Sequence, residues 1–164
     1  MKKILLSGFI LALPLLFTGC GSSTTTNQSQ TSTVNKEYAV KEVIKLKNHQ
    51  LVVNSAVKNW KSSNEFDQPQ STANMFVLVN VTLTKTSNEK VDFNPYGFKL
   101  EDDTGVQRDT TFTTVSNQLE SATLSPNGKT SGNLVFEAKK ASKKLLLHYE
   151  GSTWSGDQPA VIKL

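Results

Sequence analysis

The sequence predicts an all-β protein, a sandwich of about seven to nine antiparallel strands preceded by a signal peptide and a disordered tether. Three observations carry this expectation. Apolar residues alternate with polar ones along several short runs, the period of a strand with one buried face. Clusters of Gly, Pro, Asn, Asp and Ser separate those runs. No stretch carries the apolar period of a long amphipathic helix.

Met1-Lys2-Lys3 gives a positive start, and Ile4 to Phe17 is apolar except for Ser7, Gly8 and Pro14. As a helix that run would span only about 21 Å, short of the roughly 30 Å hydrocarbon core of a bilayer. It therefore reads as a signal-peptide core. The following Leu16-Phe17-Thr18-Gly19-Cys20 resembles the bacterial lipobox, with Phe17 where Leu is usual. The resemblance implies cleavage between Gly19 and Cys20 and a diacylglyceryl group on the Cys20 sulfur, so residues 1–19 form the signal. Two acyl chains hold a protein on a membrane stably where one does not.

Residues 20–36 form the lipidated Cys and its tether. Gly21 to Lys36 holds four Ser and five Thr, with Val34 as its single aliphatic residue. Such a composition cannot offset its ordering entropy by burial, so a disordered spacer is expected. As a flexible coil it would reach roughly 20–24 Å.

Residues 37–164 form the domain. Met75 to Leu83 is the clearest strand, with Val77, Val79, Val81 and Leu83 on one face. Earlier, Tyr38, Val40, Ile44 and Leu46 share a parity, as do Leu51, Val53 and Val57. Later inward sets are Phe98 with Leu100, Leu134 with Phe136 and Ala138, and Leu145 with Leu147 and Tyr149; Ala160, Ile162 and Leu164 close the chain. Turn chemistry at Asn94-Pro95, Asp103-Thr104-Gly105, Ser125 to Gly128, Gly151 and Gly156-Asp157 separates them. Residues 113–122 could form a short helical turn.

Composition narrows the function. Of eighteen Lys and Arg, Lys2 and Lys3 belong to the signal, leaving sixteen against fourteen Asp and Glu. That balance gives no case for nucleic acid. Cys20 is the one cysteine, so the domain has neither disulfides nor thiolate metal sites.

From Met75 onward the residues also resemble a known family. The Phe76-to-Thr84 strand is followed by Phe98-Lys99-Leu100-Glu101-Asp102-Asp103-Thr104-Gly105. Then come Leu124 to Gly132, Leu134-Val135-Phe136-Glu137, the Lys143-to-Tyr149 strand and a final apolar strand. This order is similar to the telokin-like, immunoglobulin-fold domain of unknown function found in lipoproteins of Gram-positive bacteria, related to a small secreted mycobacterial antigen. The resemblance implies an immunoglobulin-like β-sandwich and transfers no catalytic residue.

Individual motifs give little chemistry. Gly128-Lys129-Thr130 lacks the earlier Gly of a phosphate-binding loop, since Thr123 stands there. Glu101-Asp102-Asp103 before Gly105 could offer oxygens to calcium, but lacks the spacing of an EF-hand loop; a solvated hairpin turn is the expectation. His49 and His148 are too few for a zinc site without carboxylate partners. There is no Gly-x-Ser-x-Gly elbow and no thiol nucleophile in the domain. Two groups suit contact instead. Trp60 and Phe66 border or lie in the long polar stretch from Lys58 to Asn74, where recognition residues often sit; Trp154 is a weaker candidate. Lys139, Lys140, Lys143 and Lys144 form a basic cluster that could approach an anionic surface or keep a strand edge soluble.

The reading is a lipid-anchored module at the outer face of the cytoplasmic membrane that binds and does not catalyse. It implies no cofactor or metal and no nucleic acid. Its partners would be the membrane, through the lipid on Cys20, and a protein or cell-envelope polymer. The alternatives are an accessory subunit of a membrane or cell-wall assembly complex and an unrecognised hydrolase.

Overall fold

The computed structural model describes residues 36–151 and 159–164. The segments expected as signal peptide and tether, with Cys20, and likewise the expected Gly156-Asp157 turn and Trp154, lie outside the described residues. In chain order the strands are β1 (Glu37–Ala39), β2 (Val43–Lys45), β3 (His49–Trp60), β4 (Asn74–Lys85), β5 (Val91–Phe93), β6 (Phe98–Asp102), β7 (Gln107–Arg108), β8 (Ala122–Leu124), β9 (Lys129–Lys139), β10 (Leu145–Tyr149) and β11 (Ala160–Lys163).

Strand β4 shows why a sandwich forms. Met75, Val77, Val79, Val81 and Leu83 are all buried on one face, as period two requires. β4 is central in a sheet ordered β2-β3-β4-β9, and the second sheet runs β1-β11-β10-β6-β7. The two close on one core, where Val77, Val79 and Phe136 join Phe98, Leu147 and Ile162. Strands β5 and β8 form a small separate ladder. The all-β sandwich expected from the sequence is what folds. The strands outnumber the seven to nine expected because four of them, β1, β2, β5 and β8, are three-residue pieces.

Three local features depart from simple alternation. The run from Tyr38 to Leu46 is two strands, not one. Lys41 takes a left-handed backbone (φ 71°), the chain turns there, and it passes from the second sheet into the first. In β3 the register slips between Val53 and Ser55. That bulge turns Ala56 toward the core and leaves Val57 46% exposed. The third departure is that residues 113–122 form no helical turn. This segment lies along the edge of β9, where Leu119 N–H donates to Asn133 O (2.9 Å) and Asn133 N–H to Asn117 O (2.8 Å), and just before it Thr111 N–H donates to Val135 O (2.8 Å). Backbone bonding to a sheet edge outcompetes a helix in so Thr-rich and β-branched a stretch.

Gly132 permits this edge covering. A Cβ there would stand 2.5 Å from the Leu119 Cα, so only glycine lets the two backbones approach.

Candidate functional site

Two segments outside the ladders meet over the outer face of the first sheet: the β3–β4 loop, residues 61–73, and the edge-covering segment, residues 109–121. Beneath them the outer face is not polar as alternation alone would make it. Phe76 and Val135 are buried there, on the face opposite Val77 and Phe136. Trp60 packs on Phe76 with ring centroids 6.2 Å apart. Farther along the strands polar side chains are bonded across the sheet, since Asn54 donates to Asn80 (2.7 Å), Asn80 to Asn133 (2.7 Å), and Asn133 to Ser116 O (2.8 Å).

Asp67 ties the two segments together. Its carboxylate accepts from Thr114 N–H, the Thr114 hydroxyl and the Ser62 hydroxyl, each at 2.7 Å. The Thr114 N–H and hydroxyl, then Ser62, hold its pKa below the ordinary carboxylate value against a smaller opposing effect of burial. Glu137 adds a second tie, accepting from Gln70 N–H (3.0 Å) and Asn74 Nδ2 (3.0 Å). On the surface so built, Phe66 is 85% exposed and Phe112 is 86% exposed. Phe112 separates two hollows. One, of about 430 Å³, is walled by Asn74, Arg108, Thr111 and Glu137 among others; the other, of about 280 Å³, by Tyr96, Leu119 and Ser121.

The acidic turn between β6 and β7 has another role. Glu101 Oε2 lies 2.8 Å from His148 Nε2 across the ladder. Asp103 accepts the N–H groups of Lys143 (2.7 Å) and Lys144 (2.8 Å), which lowers its pKa. Asp102 is buried, and burial pushes its pKa up. The Thr104 hydroxyl and N–H, Arg108, and Lys139 N–H outweigh that and bring it down to about 2. The three carboxylates thus engage different partners and do not converge. No group of side chains suited to a metal ion occurs among the described residues.

The two histidines stand on different sheets and apart: His49 on β3 of the first sheet faces the core, and His148 on β10 of the second faces away from it. His49 is fully buried, with Nε2 2.9 Å from Tyr149 Oη and the Phe93 ring edge-on at 4.9 Å. His148 is half-buried, one residue before Tyr149. The crossing from β9 in the first sheet to β10 in the second carries Lys139, Lys140, Lys143 and Lys144, all exposed. Two of these are occupied within the protein: Lys140 Nζ donates to Thr72 O (2.6 Å), and Lys144 Nζ lies 3.2 Å from Glu37.

The family model for a domain of unknown function, DUF4352, matches residues 38–161. The chain belongs to this family. As a DUF4352 domain it is similar in fold to the yjhA protein of Bacillus subtilis, at 18% identity and a TM-score of 0.61, covering 77% of this chain and 98% of that one. It is also similar to a "putative lipoprotein (ycdA)" of Bacillus subtilis subsp. subtilis str. 168, at 18% identity and a TM-score of 0.59, covering 71% of this chain and 36% of that one. A functionally unknown protein of Listeria monocytogenes EGD-e matches at 10% identity and a TM-score of 0.55, over 78% of this chain and 83% of that one. No curated protein matches the sequence. At these identities the solved structures speak for the fold alone.

Within this DUF4352 domain the two aromatics singled out by sequence take different places. Trp60 covers the outer face of the first sheet, half-buried, beside a small hollow of about 40 Å³. Phe66 stands free on the loop above it. Sequence reasoning did not find Phe112 or Tyr96, which is 58% exposed. The available signal was a lone Phe within Asp109-Thr110-Thr111-Phe112-Thr113-Thr114, a stretch with no apolar partner to suggest a core position.

Proposed function

We propose that this DUF4352 protein is a lipid-anchored, extracytoplasmic and non-catalytic binding module, and that the surface of loop 61–73 and segment 109–121 makes its contact. The observation that carries this reading is the pair Phe66 and Phe112, each more than four-fifths exposed, on segments held in place by Asp67. Exposed apolar surface marks interaction sites where it is grouped, and aromatic residues are enriched where partners dock. Against catalysis stands the engagement of Asp67, Asp102, Asp103 and Glu137 in structural hydrogen bonds. The lipobox-like Leu16-to-Cys20 supports the anchor. No helix among the described residues is long and apolar enough to cross a membrane. The motif order from Met75 onward supports the finer kinship with telokin-like domains.

The anchor and the contact separate in one experiment. Cys20→Ser should leave the membrane fraction; a variant that still sediments with membranes like the parent contradicts the anchor. The released protein, added back to isolated cell envelopes, should bind. The Phe66→Ala, Phe112→Ala double variant should wash away, and equal retention of both proteins would refute the contact surface.

A further inference from the structure

We propose that the hollow of about 430 Å³ beside Phe112 binds a neutral saccharide. This rests on the binding reading above and names the ligand class for it. The volume falls within the range of small-molecule sites, roughly 300–1,000 Å³.

The wall has the chemistry that hydroxyl-rich rings require. A sugar hydroxyl both donates and accepts, so it is met best by groups that do the same, and amides and hydroxyls qualify. Gln70, Asn74, Gln107, Thr110 and Thr111 line the hollow. Among the described residues, the side-chain amides of Gln70 and Gln107 and the hydroxyls of Thr110 and Thr111 have no partner within the protein, so they remain available. Phe112 provides the other half of the recognition. A pyranose ring presents a face of C–H bonds, and an exposed aromatic ring at the lip can cover that face and remove both from water.

Charge argues for a neutral ligand. Arg108 Nη1 is 2.7 Å from Asp102, and Asp109 is 2.7 Å from Lys99 Nζ. The arginine and this aspartate are thus each matched by an opposite charge, and neither is left to select a phosphate or a cation. Glu137, the remaining carboxylate of the wall, is already fixed by Gln70 N–H and Asn74 Nδ2. Those bonds hold the wall in shape before a ligand arrives, which lowers the ordering cost of binding.

The test is calorimetric titration of the full-length protein in detergent micelles with two neutral probes, the trisaccharides of glucose and of N-acetylglucosamine. Saturable binding by at least one is expected at concentrations below about 10 mM. Phe112→Ala should weaken it about tenfold or more, as should Gln70→Ala with Gln107→Ala, while Lys139→Ala with Lys143→Ala leaves it unchanged. A circular dichroism melt checks that each variant is folded. Binding by neither probe, or binding that both the Phe112→Ala variant and the Gln70→Ala, Gln107→Ala variant leave unchanged, overturns the saccharide site. If in that case envelope retention still depends on Phe66 and Phe112, the binding module stands and its ligand is not a neutral saccharide.

Discussion

Single side chains divide here into those that hold the sandwich and those that the sandwich displays. Gly132 belongs to the first kind. Gly132→Ala would drive a Cβ to 2.5 Å from Leu119, and either segment 109–121 or β9 must move. Overpacking of that kind costs about 1–3 kcal/mol, so urea unfolding should show an unfolding free energy lower by that amount and a correspondingly lower midpoint. An unchanged midpoint would mean that the covering segment is not seated on β9. Phe66 and Phe112 belong to the second kind. Each variant to Ala should hold stability within about 0.5 kcal/mol, because neither ring is buried. A larger drop in the thermal midpoint would make them structural and remove them from the contact surface.

At the scale of elements, two carboxylates staple segments that the ladders leave separate. Asp102 joins the β6–β7 turn to the end of β9 through Thr104, Arg108 and Lys139. Its pKa is lowered from 3.8 to about 2 on folding, so its contribution is fully present above about pH 4 and is lost as pH falls through about 2. The difference corresponds to about 2 kcal/mol. Asp102→Asn should therefore flatten the fall in stability between pH 4 and pH 2; an unaltered slope would contradict the staple. Asp67 acts between loop 61–73 and segment 109–121. Asp67→Ala should speed hydrogen exchange at the Thr114 amide and leave the β4 and β9 amides protected. Uniform protection in the variant would show that the loop is held by other contacts.

How much of this was legible follows from where period two survives. β4, β9 and β10 were readable because their inward residues alternate without interruption, as in Leu145, Leu147 and Tyr149. Val57 was misassigned because a bulge at Val53/Ser55 inverts parity, and a bulge leaves no mark in the apolar pattern. Segment 109–121 was opaque for another reason. It is held by backbone bonds to Val135 and Asn133, which carry no side-chain signature, so residues 113–122 read as a short helical turn and Phe112 went unnoticed. Phe66 was found because the β3–β4 loop is long, while the outer-face packing of Trp60 depends on Phe76, buried on the face opposite the core.

Over the whole molecule, one side of the sandwich is specialised. The first sheet buries its inner face in the core and the part of its outer face at Phe76 and Val135 beneath two stapled segments, and those segments carry the two most exposed aromatic residues among the described ones. The edge at β2 offers a natural control, with Val43 half exposed and far in the sheet order from β9. The most direct measurement is photocrosslinking on intact cells with benzoylphenylalanine placed at position 66, 112 or 43, one at a time. Discrete adducts at 66 and 112, with none at 43, are the expected result. Adducts at all three alike, or at 43 alone, or at none, would contradict a contact surface built on loop 61–73 and segment 109–121.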